Sequence, residues 1–135
     1  MKALSIKPYF ALCIWWEKKT IEIRTWKTDY RGDLLICSTA DRMHNTIPRH
    51  ALCVANLKNI RPLKRTDAEA GMFDPADFEE GLYAWELDNI RTIRPIPIKG
   101  KLGLFNVSDD LIEYIPDPDE HDRTRWDEIW EPIWV

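Results

Sequence analysis

The chain has 135 residues and a mass of 16.0 kDa, enough to bury a single core, so one domain is expected. Its 44% hydrophobic and 31% charged residues are ordinary globular usage, and no run approaches the roughly 18 consecutive apolar residues of a membrane helix. The net charge of −4 argues against a uniformly basic nucleic-acid binder, but it averages an uneven chain: residues 1–65 hold 13 Lys and Arg against 5 acids, whereas residues 108–135 hold 2 Arg against 10 acids.

Residues 2–6 alternate loosely and predict a short strand. Pro8 then suits the first turn of a helix, where its missing N–H costs nothing, and Phe10, Cys13 and Ile14 share one helical face. Pro8 and Tyr9 also interrupt the apolar stretch that a secretion signal needs, so a cytoplasmic setting is expected. From Thr20 the period changes to two. Ile21 and Ile23 turn inward, while Glu22, Arg24 and Trp26 project together from the other face. Residues 30–33 carry turn chemistry, and the apolar run 34–37 predicts a buried central strand. Residues 41–49 read as loop with a little helix, 51–60 as a longer strand and 66–80 as short helix plus loop. Residues 83–87 open another strand, Asp88-Asn89 suggests a turn, 90–98 with two prolines an extended edge segment, and 101–107 a last strand.

Short strands interrupted by two or three small helices, without regular strand–helix alternation, predict an α+β mixed barrel of about five to six strands. Residues 1–107 would form the barrel and 108–135 an acidic, Trp-rich extension. In that extension Trp126, Ile129, Trp130 and Ile133 share a helix face behind Asp122 as N-cap; it reads as a docking helix over the barrel, with a partner surface or a cover for the basic body as alternatives.

Cys13, Cys37 and Cys53 are odd in number, far apart and flanked by apolar residues, which predicts buried reduced thiols. His44 and His50 lack metal-binding spacing, so neither a metal nor a cofactor is expected. The basic run of Lys58, Arg61, Lys64 and Arg65 could follow a phosphate backbone or simply be a solvated strand end.

The densest chemistry lies in residues 16–26. Arg24 offers a planar fork for phosphate or carboxylate, Glu22 can accept from a base edge or a water, and Lys19 supplies a compact charge whose pKa burial would lower. Trp26 could stack on a base, whereas Trp85, alternating with Tyr83 and Leu87, reads as core. Lys19 has the opposite strand parity from Glu22 and joins it only if the chain bends between them. The alternative is a surface Glu22–Arg24 ion pair worth ~0–1 kcal/mol.

Glu17, Lys19, Glu22 and Arg24 stand at the positions of a signature that runs Gly, any residue, Lys, two of any, Glu, any, Arg. Around it lie Leu4-Ser5-Ile6-Lys7, Thr25-Trp26, Tyr30-Arg31-Gly32-Asp33-Leu34-Leu35-Ile36, Tyr83-Ala84-Trp85 and the stretch 95–104. With these motifs the chain resembles the ASCH domain of the PUA-like superfamily over residues 2–107. The resemblance implies a PUA-like barrel whose charged cleft binds single-stranded RNA or a modified nucleotide through Lys7, Lys19, Glu22, Arg24 and Trp26. It also implies an alternative, a hydrolase that acts on acylated cytidine as an amidohydrolase or on RNA as a ribonuclease. There Lys19, Thr20 and Glu22 would be catalytic, a desolvated Lys19 activating a hydroxyl or water and Glu22 relaying a proton. Glu22 stands where the similar amidohydrolases have a second threonine. Glu17 replaces the signature glycine, so the junction must turn without the residue most at ease at positive φ.

Overall fold

The computed structural model describes residues 1–119 and 121–135. Its strands are β1 (Lys2–Ile6), β2 (Ile21–Arg24), β3 (Gly32–Ser38), β4 (His50–Pro62), β5 (Tyr83–Pro97) and β6 (Leu104–Asn106); its helices are α1 (Pro8–Trp15), α2 (Ala68–Gly71) and α3 (Arg123–Ile129). One six-stranded sheet runs β2-β5-β4-β3-β1-β6, parallel only between β1 and β3, and curls into a half-barrel. The expected mixed α+β barrel class is therefore the observed one.

The apolar run in β3 is continuous because both of its faces are buried. Leu34 and Ile36 pack with Leu12, Ile14 and Trp15 of α1, whereas Leu35 and Cys37 pack with Ala3, Val54, Ile93 and Phe105. All three cysteines are buried with free thiols, and burial pushes that of Cys37 up to about 12.

Asp88-Asn89 is not a turn. Asn89 takes φ 48° inside a continuous 15-residue β5, where the pairing with β4 shifts register, so the polar pair marks a bulge. Only residues 83–86 of β5 pair with β2; further along, that side carries among the described residues a single bridge, Ile93 to Tyr114, which leaves Pro95 and Pro97 without a donor to miss. The last strand is shorter than expected, and residues 98–103 form a loop instead.

Asp122 caps α3 by accepting from the Arg125 N–H at 3.1 Å. Trp130 of the tail is fully buried, its ring 5.9 Å from that of Trp15, and Trp134 stacks on Trp16 at 5.9 Å. The Val135 backbone bonds to Asn45 and Thr46, so the chain end is stitched to the barrel. No helix among the described residues is long and apolar enough to cross a membrane.

Candidate functional site

A cleft of about 1150 Å³ opens between the end of β1, β2, the turn after α2 and the 98–103 loop. Its geometry starts at the α1–β2 junction. After α1 the chain turns at Glu17, φ 60°, and the N–H groups of Lys18 and Lys19 both donate to the Cys13 carbonyl at 2.9 and 3.1 Å. This bend precedes β2, so the parity that separates Lys19 from Glu22 in a straight strand does not apply.

Lys19 is consequently buried, 3% exposed, with Nζ donating to the Gly71 carbonyl at 2.5 Å and lying 5.0 Å from the centre of the Phe10 ring. Desolvation lowers its pKa below the ordinary lysine value, against the opposing pull of the Glu22 charge. Glu22 is 6% exposed; its Oε1 accepts from the Ile23 N–H at 2.8 Å, and its Oε2 lies 3.9 Å from Arg24 Nη2. Arg24 Nη2 donates to the Ser5 carbonyl at 2.8 Å, which ties β2 to β1 across the cleft floor.

Four buried side-chain polar atoms among the described residues lack a hydrogen-bond partner, and three of them, Ser5 Oγ, Glu22 Oε2 and Arg24 Nε, belong to residues lining this cleft. An unpartnered buried polar group costs about 1–3 kcal/mol, so three in residues around one hollow mark it as polar and incompletely paired. They offer an acceptor, a donor and a hydroxyl that can serve as either.

Phe10, Ile23, Met72 and Phe73 supply apolar wall, and Lys7, Arg49, Lys99 and Lys101 stand exposed at the rim. A Cβ on Gly100 would come within 2.4 Å of Ser5 Oγ, so glycine is what lets the 98–103 loop lie against β1. Apart from asparagines, the non-glycine residues at positive φ among the described residues are Glu17, Arg49 and Met72, at 60°, 58° and 57°. Arg49 and Met72 line the cleft and Glu17 turns Lys19 into it, so the backbone strain gathers at one place.

Of the residues singled out by sequence, Lys7, Lys19, Glu22 and Arg24 line this cleft together. Thr20 does not: it is exposed, its N–H donating to Ala70 and its carbonyl accepting from Leu87. Trp26 lies elsewhere as well, because β2 ends at Arg24 and its alternation carries no further. Trp26 meets the fully buried Trp85 edge-on at 4.8 Å, and the aromatic wall comes from Phe10 and Phe73. The basic run 58–65 is also outside. Arg61 forks onto Asp67 with two 2.8 Å bonds and reaches Glu86 at 2.7 Å, while Arg65 lies over the Phe78 ring. No described tail residue lines the cleft. Ser5, Arg49, Lys99 and Lys101 escaped the sequence reading as site residues; the Lys-Gly-Lys triplet at 99–101 was a signal for two of them, and Arg49 carried none.

A family model described as "ASCH domain" matches residues 4–97. Among solved structures the chain is similar to the crystal structure of ASCH from Zymomonas mobilis, at 19% identity and TM-score 0.63 over 81% of this chain and 88% of that one. It is similar as well to two mutants of the Zymomonas mobilis protein: a tyrosine-to-phenylalanine form (17% identity, TM-score 0.64, 83% and 98% covered) and a serine-to-alanine form (19%, 0.62, 81% and 89%). At such identities the likeness is one of fold. No curated protein matches the chain.

Proposed function

The chain belongs to the ASCH domain family, and from that premise we propose that its cleft binds single-stranded RNA or a single modified nucleotide. The observation that carries this reading is a cleft whose lining residues hold three unpartnered polar atoms, Ser5 Oγ, Glu22 Oε2 and Arg24 Nε, beside an apolar and aromatic wall. A splayed base is a planar guest with alternating donors and acceptors at its edge and π faces for an aromatic wall, which is how unpaired nucleotides are recognised. With a small turn of each side chain toward the hollow, Glu22 Oε2 would accept from a base N–H and Arg24 Nε would donate to a carbonyl or ring nitrogen, while Phe10 and Phe73 would provide apolar contact. Three buried, unpaired thiols support a reducing, cytoplasmic setting for this work.

Fluorescence anisotropy with a short labelled single-stranded RNA tests the proposal. Glu22→Gln and Arg24→Ala should each weaken binding by about tenfold or more, the usual worth of a hydrogen bond to a charged group. Wild-type affinity in both folded variants would end it.

One observation favours hydrolysis as a second reading: Lys19 is buried, has a lowered pKa and shares the cleft with Glu22. With Thr20 outside, the nucleophile would be a water whose proton Lys19 takes in its unprotonated form and passes by way of Glu22 to the leaving group. Incubation with acylated cytidine and with RNA, with and without chelator, should then give product that Lys19→Ala abolishes. Full activity in that variant removes the reading.

A further inference from the structure

We infer that Arg49, with Lys7, Lys99 and Lys101, forms a phosphate-binding rim, so that the cleft takes a phosphorylated nucleotide, base inward and phosphate outward, in preference to a nucleoside. This rests on the nucleotide reading of the cleft and adds to it the polarity of the guest and a specificity-determining residue.

Charge is layered in the cleft. On the floor Glu22 lies 3.9 Å from Arg24, whereas the four rim cations form no ion pair with any described carboxylate. Asp41 is the one acid that lines the cleft besides Glu22 among the described residues, and it accepts from the Thr39 hydroxyl at 2.8 Å. A guest that is neutral and hydrogen-bonding at one end and anionic at the other matches that gradient.

Arg49 adds an independent observation. Its φ of 58° lies in the left-handed region, where glycine sits freely and arginine is strained. The conformation is fixed from both sides: the Arg49 N–H donates to the Thr39 carbonyl at 3.0 Å, and its carbonyl accepts from the Ile98 N–H at 2.9 Å. Arg49 therefore joins the end of β3 to the start of the loop that carries Lys99 and Lys101. Its side chain is exposed and makes no ion pair among the described residues, so no pairing there offsets the strain. What arginine supplies at this position, and glycine would not, is a forked cation at the mouth of the cleft.

Arg49→Gly separates the two contributions, since it keeps the backbone geometry and removes the cation. Calorimetric titrations would compare cytidine and adenosine, their monophosphates and inorganic phosphate on wild type, Arg49→Gly and the Lys99→Ala/Lys101→Ala double variant, alongside thermal melts. Wild type should bind a monophosphate about tenfold or more tighter than its nucleoside, and inorganic phosphate far more weakly than either. In Arg49→Gly and in the double variant that ratio should shrink several-fold, while Arg49→Gly melts above wild type. Equal binding of nucleoside and monophosphate, a ratio unmoved by Arg49→Gly, or a lower melting point for that variant overturns the rim and leaves the nucleotide reading of the floor standing. Inorganic phosphate binding as tightly as the monophosphate overturns the base-inward orientation. Absence of any binding defeats the rim and the underlying reading together.

Discussion

Glu17 holds a left-handed backbone at the place where the family signature has glycine, and in doing so it decides where Lys19 points. Since its side chain is exposed and the conformation is one that glycine adopts freely, Glu17→Gly should stabilise the protein by about 1 kcal/mol. Chemical denaturation checks this; a loss of stability would show that the glutamate offsets its strain with a contact. The same residue marks how far sequence reaches at this scale. Glu22 and Arg24 lie on one strand, so a period of two already places them together. Lys19 meets them only through a reversal that its own residue type does not announce. Arg49 was illegible for a related reason: arginine has no preference for positive φ, and only the bonds to Thr39 and Ile98 impose it.

The short helix α2 looks incidental in the chain yet provides part of the cleft. Its last residue, Gly71, gives Lys19 its carbonyl partner, and Met72 and Phe73 follow as wall. The element is pinned by Asp67, which accepts from Arg61 Nη1 and Nη2 and from the Lys64 N–H, each at 2.8 Å. Those bonds, the Arg61 pair foremost, hold the Asp67 carboxyl below the ordinary aspartate range. A depressed folded pKa contributes stability above the unfolded value and loses it as pH falls through the folded one. Asp67→Ala should therefore cost about 1–3 kcal/mol at neutral pH, with the gap to wild type closing in acid. Urea titrations at both pH values read this directly; a gap independent of pH would mean the carboxylate charge is not what pins the element. Sequence presented Arg61 as one of four cations in a basic run. Its partners come from β5 across the sheet and from the turn before α2, pairings that spacing along the chain does not reveal.

Across the whole molecule, the rim cations and the tryptophan-rich end of the tail lie apart. Lys7, Arg49, Lys99 and Lys101 stand at the cleft mouth, while the Trp-rich end of the acidic tail packs on Trp15 and Trp16 through Trp130 and Trp134, away from the cleft among the described residues. This separation is why a chain of net charge −4 can present a basic hollow. The apolar stripe of the tail was legible from helical spacing and its cap from Asp122. Its seat on Trp15 and Trp16 was not, because nothing in a stripe names its counterpart. Trp130→Ala should cost about 3–5 kcal/mol, as truncation of a fully buried indole does, and leave the RNA affinity of the folded protein unchanged. Tighter RNA binding in that variant would instead mark the tail as a restraint on the cleft.

The most direct test of the central claim, that Lys19, Glu22 and Arg24 floor a hollow for an anionic nucleotide guest, is a titration of wild type and Arg24→Ala with short single-stranded RNA across a salt series. The logarithm of the wild-type affinity should fall linearly with the logarithm of salt, with a slope of about −0.7 per phosphate contacted, and Arg24→Ala should bind more weakly at every concentration. Binding that ignores salt, or two superimposable curves, would contradict the account.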